Sequence, residues 1–275
     1  MLKPLGFLTW LFGPAIANRP APLRIGVFVG ALLALWLPFY GLAQLSITDP
    51  NTRSIAVMAV LFLAFIFLLR FWSRTLYQAR LRDRYGLTGG NGNGRELAVG
   101  LGAGAASLAL LFGLMALLGW TRWRWPGLGI GLTALEGLLV ALGVGLAEEL
   151  VFRGWLWGEL KEDYSANTAL WGSSLTFAAL HFIKPLPEML RTAPQFPGLL
   201  LLGLLLVWAR RRCRGRLGMA VGIHAGLVWG YYLAQVGGLV APRSGPQWLT
   251  GVDGNPLAGG LGLLFLLGLG LWVRR

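Results

Sequence analysis

Long apolar runs with almost no charged residues dominate this chain. Only 13% of its 275 residues are charged and 56% are hydrophobic, whereas a soluble domain carries about 25% charged residues. An apolar run of about 20 residues crosses the ~30 Å hydrocarbon core of a bilayer as a helix, because a helix satisfies its own backbone hydrogen bonds. The runs therefore predict an all-α, polytopic membrane helical bundle in the lipid bilayer.

We expect one integral membrane domain over residues 1–275 with about eight transmembrane helices. The predicted spans are residues 24–45, 54–77, 96–120, 129–157, 167–183, 196–209, 217–235 and 257–273. Residues 1–17 contain an Ala15-Ile16-Ala17 sequence that imitates a signal-peptidase site. Because Arg19 and Arg24 follow directly, a short interfacial segment held on the cytoplasmic side is the simpler interpretation.

The net charge of +13 suggests nucleic acid at first sight, but on a membrane protein arginines usually mark cytoplasmic loops. With both termini cytoplasmic, 18 of the 24 basic residues fall in cytoplasmic segments. This bias supports the predicted orientation and gives no reason to expect a nucleic-acid partner. The single cysteine, Cys213, excludes a multi-cysteine metal site within the sequence.

Two adjacent carboxylates, Glu148 and Glu149, interrupt the apolar run that begins at residue 129. A carboxylate at the centre of a spanning helix costs about 2.5–3.5 kcal/mol on insertion scales, so such residues mark candidate functional sites. Glu149 and Arg153 are four residues apart and can pair on one helix face. Glu148 is turned by about 100° and stays free to act as a general base. The alternative is a structural clamp in which both carboxylates bracket Arg153.

The only two histidines, His181 and His224, both fall in predicted spans. A lone histidine in a membrane helix is more typical of an interhelical hydrogen bond than of catalysis. Phe177 shares the helix face of His181, and Gly222 and Gly226 flank His224, which allows another helix to approach closely. Polar residues on three separate spans favour one convergent site, since lipid offers them no partners.

Three motifs carry a family resemblance: Glu148-Glu149-x-x-x-Arg153, Phe177-x-x-x-His181, and His224 in the penultimate span. Together they resemble the CPBP (Abi) family, which comprises the CAAX prenyl endopeptidases and the bacteriocin-processing enzymes. The resemblance extends over about residues 129–235. The resemblance implies an eight-helix intramembrane protease. It implies that Glu148 activates a water with help from His181, and that His224 stabilises the oxyanion. Glu149, Arg153 and Phe177 would then be supporting residues.

One position departs from the family pattern. The third motif usually has an asparagine four residues after its histidine, and this chain has Val228 there. Loss of one oxyanion donor typically costs about 10²–10³ in rate. The indole N–H of the neighbouring Trp229 is a candidate replacement.

The sequence therefore predicts an intramembrane endopeptidase that cleaves a membrane-associated protein or peptide by glutamate-activated water, with no cofactor expected. A zinc-dependent version would use Glu148, His181 and His224 as ligands, a set of the type found in catalytic zinc sites. The alternative from another class is a non-catalytic, partner-binding or bacteriocin-immunity membrane protein, which Val228 would favour. The compact loops and the lack of a recognisable targeting segment suggest a prokaryotic inner (plasma) membrane.

Overall fold

The computed structural model describes residues 13–88 and 90–275. The chain divides into two compact units, and each is described by itself. The first contains the chain up to Arg84 and Gly158–Tyr164, and the second contains Tyr85–Trp157 and Ser165–Arg275. Most of the amino-terminal segment for which an interfacial helix was predicted, residues 1–17, lies outside the described residues. That the whole chain forms one domain stays a prediction.

The described residues are 79% helical, which confirms the predicted class. In chain order the helices are α1 (Pro14–Ala17), α2 (Ala21–Ser46), α3 (Pro50–Leu76), α4 (Leu81–Arg84), α5 (Asn91–Leu117), α6 (Ile130–Glu149), α7 (Trp157–Asp163), α8 (Ala166–Leu180), α9 (Leu186–Thr192), α10 (Phe196–Arg212), α11 (Gly218–Gln235), α12 (Gln247–Thr250) and α13 (Gly260–Arg274). A π-helical segment, Leu150–Leu156, joins α6 to α7, and short 3₁₀ turns lie at Ala193–Gln195, Val252–Gly254 and Pro256–Ala258.

Within the described residues, five helices are long and apolar enough to cross a membrane by length and composition: Ala21–Ser46, Pro50–Leu76, Asn91–Leu117, Ile130–Asp163 and Leu186–Arg212. The other three predicted spans coincide with the shorter helices α8, α11 and α13. At 15 residues each, α8 and α13 extend about 22 Å, less than the ~30 Å hydrocarbon core. The protein is an integral membrane protein, while the count of eight spans and the cytoplasmic termini stay predictions.

A short two-stranded ribbon lies outside the predicted spans. Strand β1 (Thr121–Trp123) pairs antiparallel with β2 (Val240–Pro242). Next to the ribbon, the N–H of Arg124 donates to the carbonyl of Leu239 and the N–H of Arg243 to that of Trp120, both at 2.8 Å. Three residues are too few for the period-2 pattern that identifies a strand in a sequence.

In the first unit, a buried carboxylate ties three segments of the chain together. Glu159 is 1% exposed and accepts hydrogen bonds from Arg24 Nε at 3.0 Å, Trp72 Nε1 at 3.0 Å and the Tyr77 hydroxyl at 2.6 Å. Several donors of this kind offset the desolvation of a buried charge. Burial and the Glu159 carboxylate raise the pKa of Tyr77, so the phenol stays a donor. Arg24, expected among the cytoplasmic loop charges, is thus a buried partner.

In the second unit, α5 and α11 meet through glycines. A Cβ at Gly100 would lie 2.5 Å from the carbonyl oxygen of Met219, and one at Gly222 would lie 2.2 Å from that of Leu97. Both distances are shorter than side chains tolerate, so the two backbones are in direct contact. The prediction that the glycines around His224 admit a neighbouring helix is confirmed at this contact.

The glycine contact can be tested with two substitutions on the same helix. Gly100→Ala should destabilise the protein by about 1–3 kcal/mol, because the added methyl group overpacks the contact. Gly102 has open space around its Cβ position, so Gly102→Ala should be neutral or stabilising by up to about 1 kcal/mol, since alanine favours the helix. Unfolding of the purified variants in detergent measures both, and equal stability of the two would contradict the close contact.

Candidate active site

The candidate site lies in the second unit, where α6 approaches α11. A Cβ at Gly145 would lie 3.1 Å from the carbonyl oxygen of Val221 and 3.2 Å from the amide nitrogen of Ala225. The absence of a side chain at Gly145 therefore lets the two helices approach closely. Glu149 lies one turn further along α6, and His224 lies between the two contacted residues of α11. The approach brings these two side chains together.

One oxygen of Glu149 serves two donors. Glu149 Oε1 accepts a hydrogen bond from Arg153 Nη1 at 2.9 Å and lies 2.8 Å from His224 Nδ1. The side chains of Glu149 and Arg153 are fully buried, and that of His224 is 6% exposed. The predicted pair of Glu149 with Arg153 is present. The contact with His224 is additional, and the sequence reasoning missed it because the two residues are far apart in the chain.

Glu148 points to a different face, as its position one residue earlier in the helix requires. Its Oε2 atom is buried and has no hydrogen-bond partner among the described residues. This oxygen lies 3.8 Å from Nε2 of His181 and 3.8 Å from Nε2 of His224. The structure thus brings together the three residues proposed as catalytic from the sequence, at distances too long for direct hydrogen bonds.

The second nitrogen of each imidazole fixes the tautomer. His181 ends helix α8, and its Nδ1 lies 2.7 Å from the carbonyl oxygen of Phe177. A carbonyl can only accept, so Nδ1 carries the hydrogen and donates it. The same reasoning applies to Nδ1 of His224 against the carboxylate of Glu149. In the neutral form both rings therefore present an unprotonated Nε2 toward Glu148.

Phe177 packs against both imidazoles of the site and against the guanidinium of Arg153. Its ring centroid lies 4.6 Å from that of His181 and 6.2 Å from that of His224. The guanidinium carbon of Arg153 lies 4.2 Å from the ring centroid, within the range of a cation–π interaction. Phe177 is 1% exposed. It shields the Glu149–Arg153 pair and limits the movement of both imidazoles.

A cavity of about 320 Å³ opens beside these groups. Glu148, Phe177, His181 and His224 contribute to its wall, together with Val144 from α6 and Val228 from α11. Much of the remaining lining is apolar and comes from α5, α10 and α13. Ligand sites are typically cavities of about 300–1,000 Å³ with a few placed polar groups. The cavity can hold a short apolar segment against Glu148.

Residues 130–231 match the family described as Rce1-like, type II CAAX prenyl endopeptidase. This segment, a little over a third of the chain, is similar to the CPBP family. The match covers the acidic pair, both histidines and Val228, and it supports a membrane endopeptidase in general terms. No curated protein and no solved structure matches the chain.

The sequence Glu148-Glu149-x-x-x-Arg153 runs into the π-helical segment Leu150–Leu156, which the sequence analysis did not predict. A π turn leaves some backbone carbonyls without a good hydrogen bond, and here side chains donate hydrogen bonds to two of them. Phe152 O accepts from the Ser173 hydroxyl at 2.8 Å, and Arg153 O accepts from the guanidinium of Arg210. Arg210, in the last turn of α10, is 5% exposed. Single π turns of this kind occur frequently at functional sites.

Trp229 does not serve as the replacement oxyanion donor, so that prediction is wrong. Its indole N–H donates to the carbonyl of Ala134 at 2.8 Å, and its side chain is not part of the wall beside Glu148. Trp229 follows Val228 by one residue and is therefore turned by about 100° around α11. The position of Val228 in the cavity wall stays apolar.

The zinc-dependent version has mixed support from the geometry. Among residues 13–88 and 90–275 no group of three or more His, Cys, Asp or Glu side chains is arranged to hold a metal ion. Glu148, His181 and His224 nevertheless have the donor types of a catalytic zinc site, and each imidazole holds its other nitrogen as zinc ligands do. Both the cofactor-free and the zinc-dependent versions stay predictions.

The two glutamates should differ sharply in their contribution to stability. Glu149→Gln should destabilise the protein by about 3–5 kcal/mol, because buried Arg153 loses its counter-charge. Glu148→Gln should change stability by less than about 1 kcal/mol, since the side chain is 31% exposed and makes no hydrogen bond through Oε2. Unfolding in detergent measures both variants, and similar losses would contradict the assignment of Glu149 as the anchor.

Proposed function

We propose that this protein is an intramembrane endopeptidase in which Glu148 activates water to cleave a membrane-associated protein or peptide. The observation that carries the proposal is the Oε2 atom of Glu148, which has no hydrogen-bond partner among the described residues yet faces two imidazole nitrogens and a cavity. If both glutamates only clamped Arg153, there would be no reason for Glu148 to face two imidazoles and a cavity. A general base needs an acceptor atom of this kind beside a space for substrate.

The site needs a proton donor between its acceptors. Ionised Glu148 and neutral His181 are both acceptors at the facing atoms, Oε2 and Nε2, which lie 3.8 Å apart. A water beside them can donate one O–H to each, since separations beyond 3.5 Å are commonly bridged. The water oxygen then directs its lone pairs toward the cavity. Glu148 and His181 thereby orient and polarise the same nucleophile.

The chemistry follows from this arrangement. Glu148 takes a proton from the water while the oxygen attacks the scissile carbonyl, and the C–O bond forms as the carbonyl π bond breaks. When His224 is protonated, its Nε2–H donates to the developing oxyanion, and its Nδ1–H remains bonded to Glu149. Collapse of the intermediate breaks the C–N bond. Glu148, with His181 as proton shuttle, returns the proton to the leaving amine.

His224 is the imidazole that lies between the two carboxylates. Its Nδ1 lies 2.8 Å from Oε1 of Glu149, and its Nε2 lies 3.8 Å from Oε2 of Glu148. Arg153 compensates the charge of Glu149 through their direct ion pair. A hydrogen on Nε2 of His224 would therefore face Glu148 and the cavity.

Glu148→Gln should lower kcat/KM for peptide cleavage by about 10²–10⁴, the usual contribution of a general base. Glu136→Gln is the matched control, since Glu136 is on the same helix but does not line the cavity. Cleavage of membrane-fraction proteins, compared by proteomics between wild type and variant, supplies the substrate. Undiminished turnover of Glu148→Gln would end the proposal, and loss of wild-type activity on chelation, restored by zinc, would favour the metal version.

Val228→Asn should raise kcat, because it adds an amide donor to the cavity wall one turn after His224. The expected gain reaches about 10²-fold, at the low end of what one oxyanion donor contributes. Val144→Asn adds the same amide to the wall from α6 and should give no comparable gain. Equal effects of the two substitutions would show that polarity in the cavity, and not an oxyanion donor, changes the rate.

A non-catalytic, partner-binding protein is the second candidate, favoured by the apolar Val228 in the cavity wall. The Glu148→Gln variant separates the two functions, because a binding protein keeps its cellular phenotype without a general base. A prokaryotic inner (plasma) membrane location is part of the proposal and stays a prediction.

A further inference from the structure

Two arginines and two tryptophans meet where α10 and α13 end together. Arg212, the last residue of α10, donates from Nη1 to the carbonyl oxygens of Trp272 at 3.4 Å and Val273 at 3.3 Å, in the last turn of α13. Its guanidinium carbon lies 5.8 Å from the ring centroid of Trp272, and that of Arg274 lies 4.9 Å from the ring centroid of Trp208. Each helix thus places an arginine beside a tryptophan of the other. We call Trp208, Arg212, Trp272 and Arg274 the Arg–Trp cluster.

The cluster carries two positive charges without an acidic partner. In the part of the chain that the structure describes, no carboxylate lies within ion-pair distance of Arg212 or Arg274. Arg216, a few residues further on, is by contrast paired with Glu96. The carboxyl end of a helix is equivalent to about half a negative charge, so the two helix ends compensate about half of the charge of the two guanidiniums. A net positive charge remains at this point.

Most hydrogen-bond donors of the cluster are unused. Arg212 donates only through Nη1, and Arg274 donates to no group among the described residues. Both side chains are exposed, so their remaining N–H groups are accessible. A planar guanidinium presents these donors as a fork that matches the oxygens of a phosphate. The cluster therefore has the charge and the donors for a phosphate group.

The cluster also lies at the level of a membrane where phosphates are found. α10 belongs to the helix Leu186–Arg212, which is long and apolar enough to cross a membrane, and α13 is a shorter apolar helix that ends at Arg274. Arginine and tryptophan at the end of such helices lie at the headgroup level. This placement holds on either side of the membrane, so it does not depend on the predicted orientation of the chain.

A stripe of exposed leucines on α13 leads to the cluster. Leu264, Leu267 and Leu271 are exposed, and together with Arg274 they follow one another at intervals of three, four and three residues. This spacing places them on one face of the helix. An acyl chain that lies along the leucines would bring its own headgroup to Arg274. A free phosphate ion would gain nothing from the stripe, which favours a lipid as the source of the phosphate.

We propose that the Arg–Trp cluster is a binding site for a phospholipid whose headgroup carries a net negative charge. The phosphate oxygens accept hydrogen bonds from Arg212 and Arg274, and an acyl chain lies along the leucine stripe. A zwitterionic lipid offers the same phosphate but also a cation, which the two arginines repel. The site is therefore selective for anionic headgroups. The proposal does not rest on the peptidase function.

Native mass spectrometry of the purified full-length chain in neutral detergent tests the site. The probes are dioleoyl phosphatidylglycerol and dioleoyl phosphatidylcholine, which have the same acyl chains. Wild type should bind the first phosphatidylglycerol with a Kd about 30-fold lower than that for phosphatidylcholine, since each arginine near an anionic headgroup contributes about fivefold. In the double variant Arg212→Gln/Arg274→Gln this ratio should fall to about one.

Three further variants control for folding and for total charge. Arg274→Gln alone alters an exposed side chain that makes no hydrogen bond, so the protein should fold normally and the ratio should fall about fivefold. Arg212→Lys/Arg274→Lys keeps both charges and should keep a preference. Arg122→Gln/Arg124→Gln removes the same charge from two exposed residues at β1 and should leave the ratio unchanged. An equal fall in this last variant, or a ratio that stays high in Arg212→Gln/Arg274→Gln, would overturn the proposal.

Excess inorganic phosphate, compared with chloride at the same ionic strength, tests the source of the phosphate group. Phosphatidylglycerol should stay bound to the same extent in both salts, because inorganic phosphate lacks the acyl chain that holds a lipid on the leucine stripe. If inorganic phosphate displaces the lipid from wild type and chloride does not, the cluster is a site for a soluble phosphate and the lipid proposal fails.

Discussion

The interaction on which the site depends is the sharing of one Glu149 oxygen between Arg153 and His224. The guanidinium compensates the charge of a fully buried carboxylate, and the carboxylate in turn holds Nδ1 of the imidazole. Without the arginine the buried carboxylate would lose the opposite charge that offsets its desolvation. Without the ionised carboxylate the imidazole would have no fixed tautomer. The second glutamate of the motif therefore supports the first by orienting a histidine.

This arrangement explains why two adjacent acidic residues occur in an otherwise apolar helix. Successive positions of a helix point about 100° apart, so one carboxylate can face the protein interior while its neighbour faces a cavity. Glu149 is fully buried, and Glu148 is about one-third exposed with its unbonded oxygen toward two imidazoles. The same local sequence thus provides a structural anion and a reactive one.

Much of the site could be predicted from the sequence, because charges and imidazoles in apolar spans have few possible partners. The pairing of Glu149 with Arg153 followed from helical spacing alone. The Glu149–His224 bond and the burial of Arg210 could not be predicted, since they join distant segments whose approach depends on packing. The π turn after Glu149 has no compositional signal. Trp229 has an N–H of the right kind, but its side chain points away from the cavity.

The contact between α5 and α11 restricts the position of His224 along the axis of α11 to values one helical turn apart. Gly100 and Gly104 lie one turn apart on α5, as Gly222 and Gly226 do on α11, and each faces backbone atoms of the other helix. Any partial slide of one helix would place a Cβ where only a glycine fits. The next arrangement without such a collision lies one full turn away, about 5.4 Å, and retains only part of the glycine pairing. The glycine contacts between α5 and α11 therefore fix the position of the His224 imidazole along the helix axis.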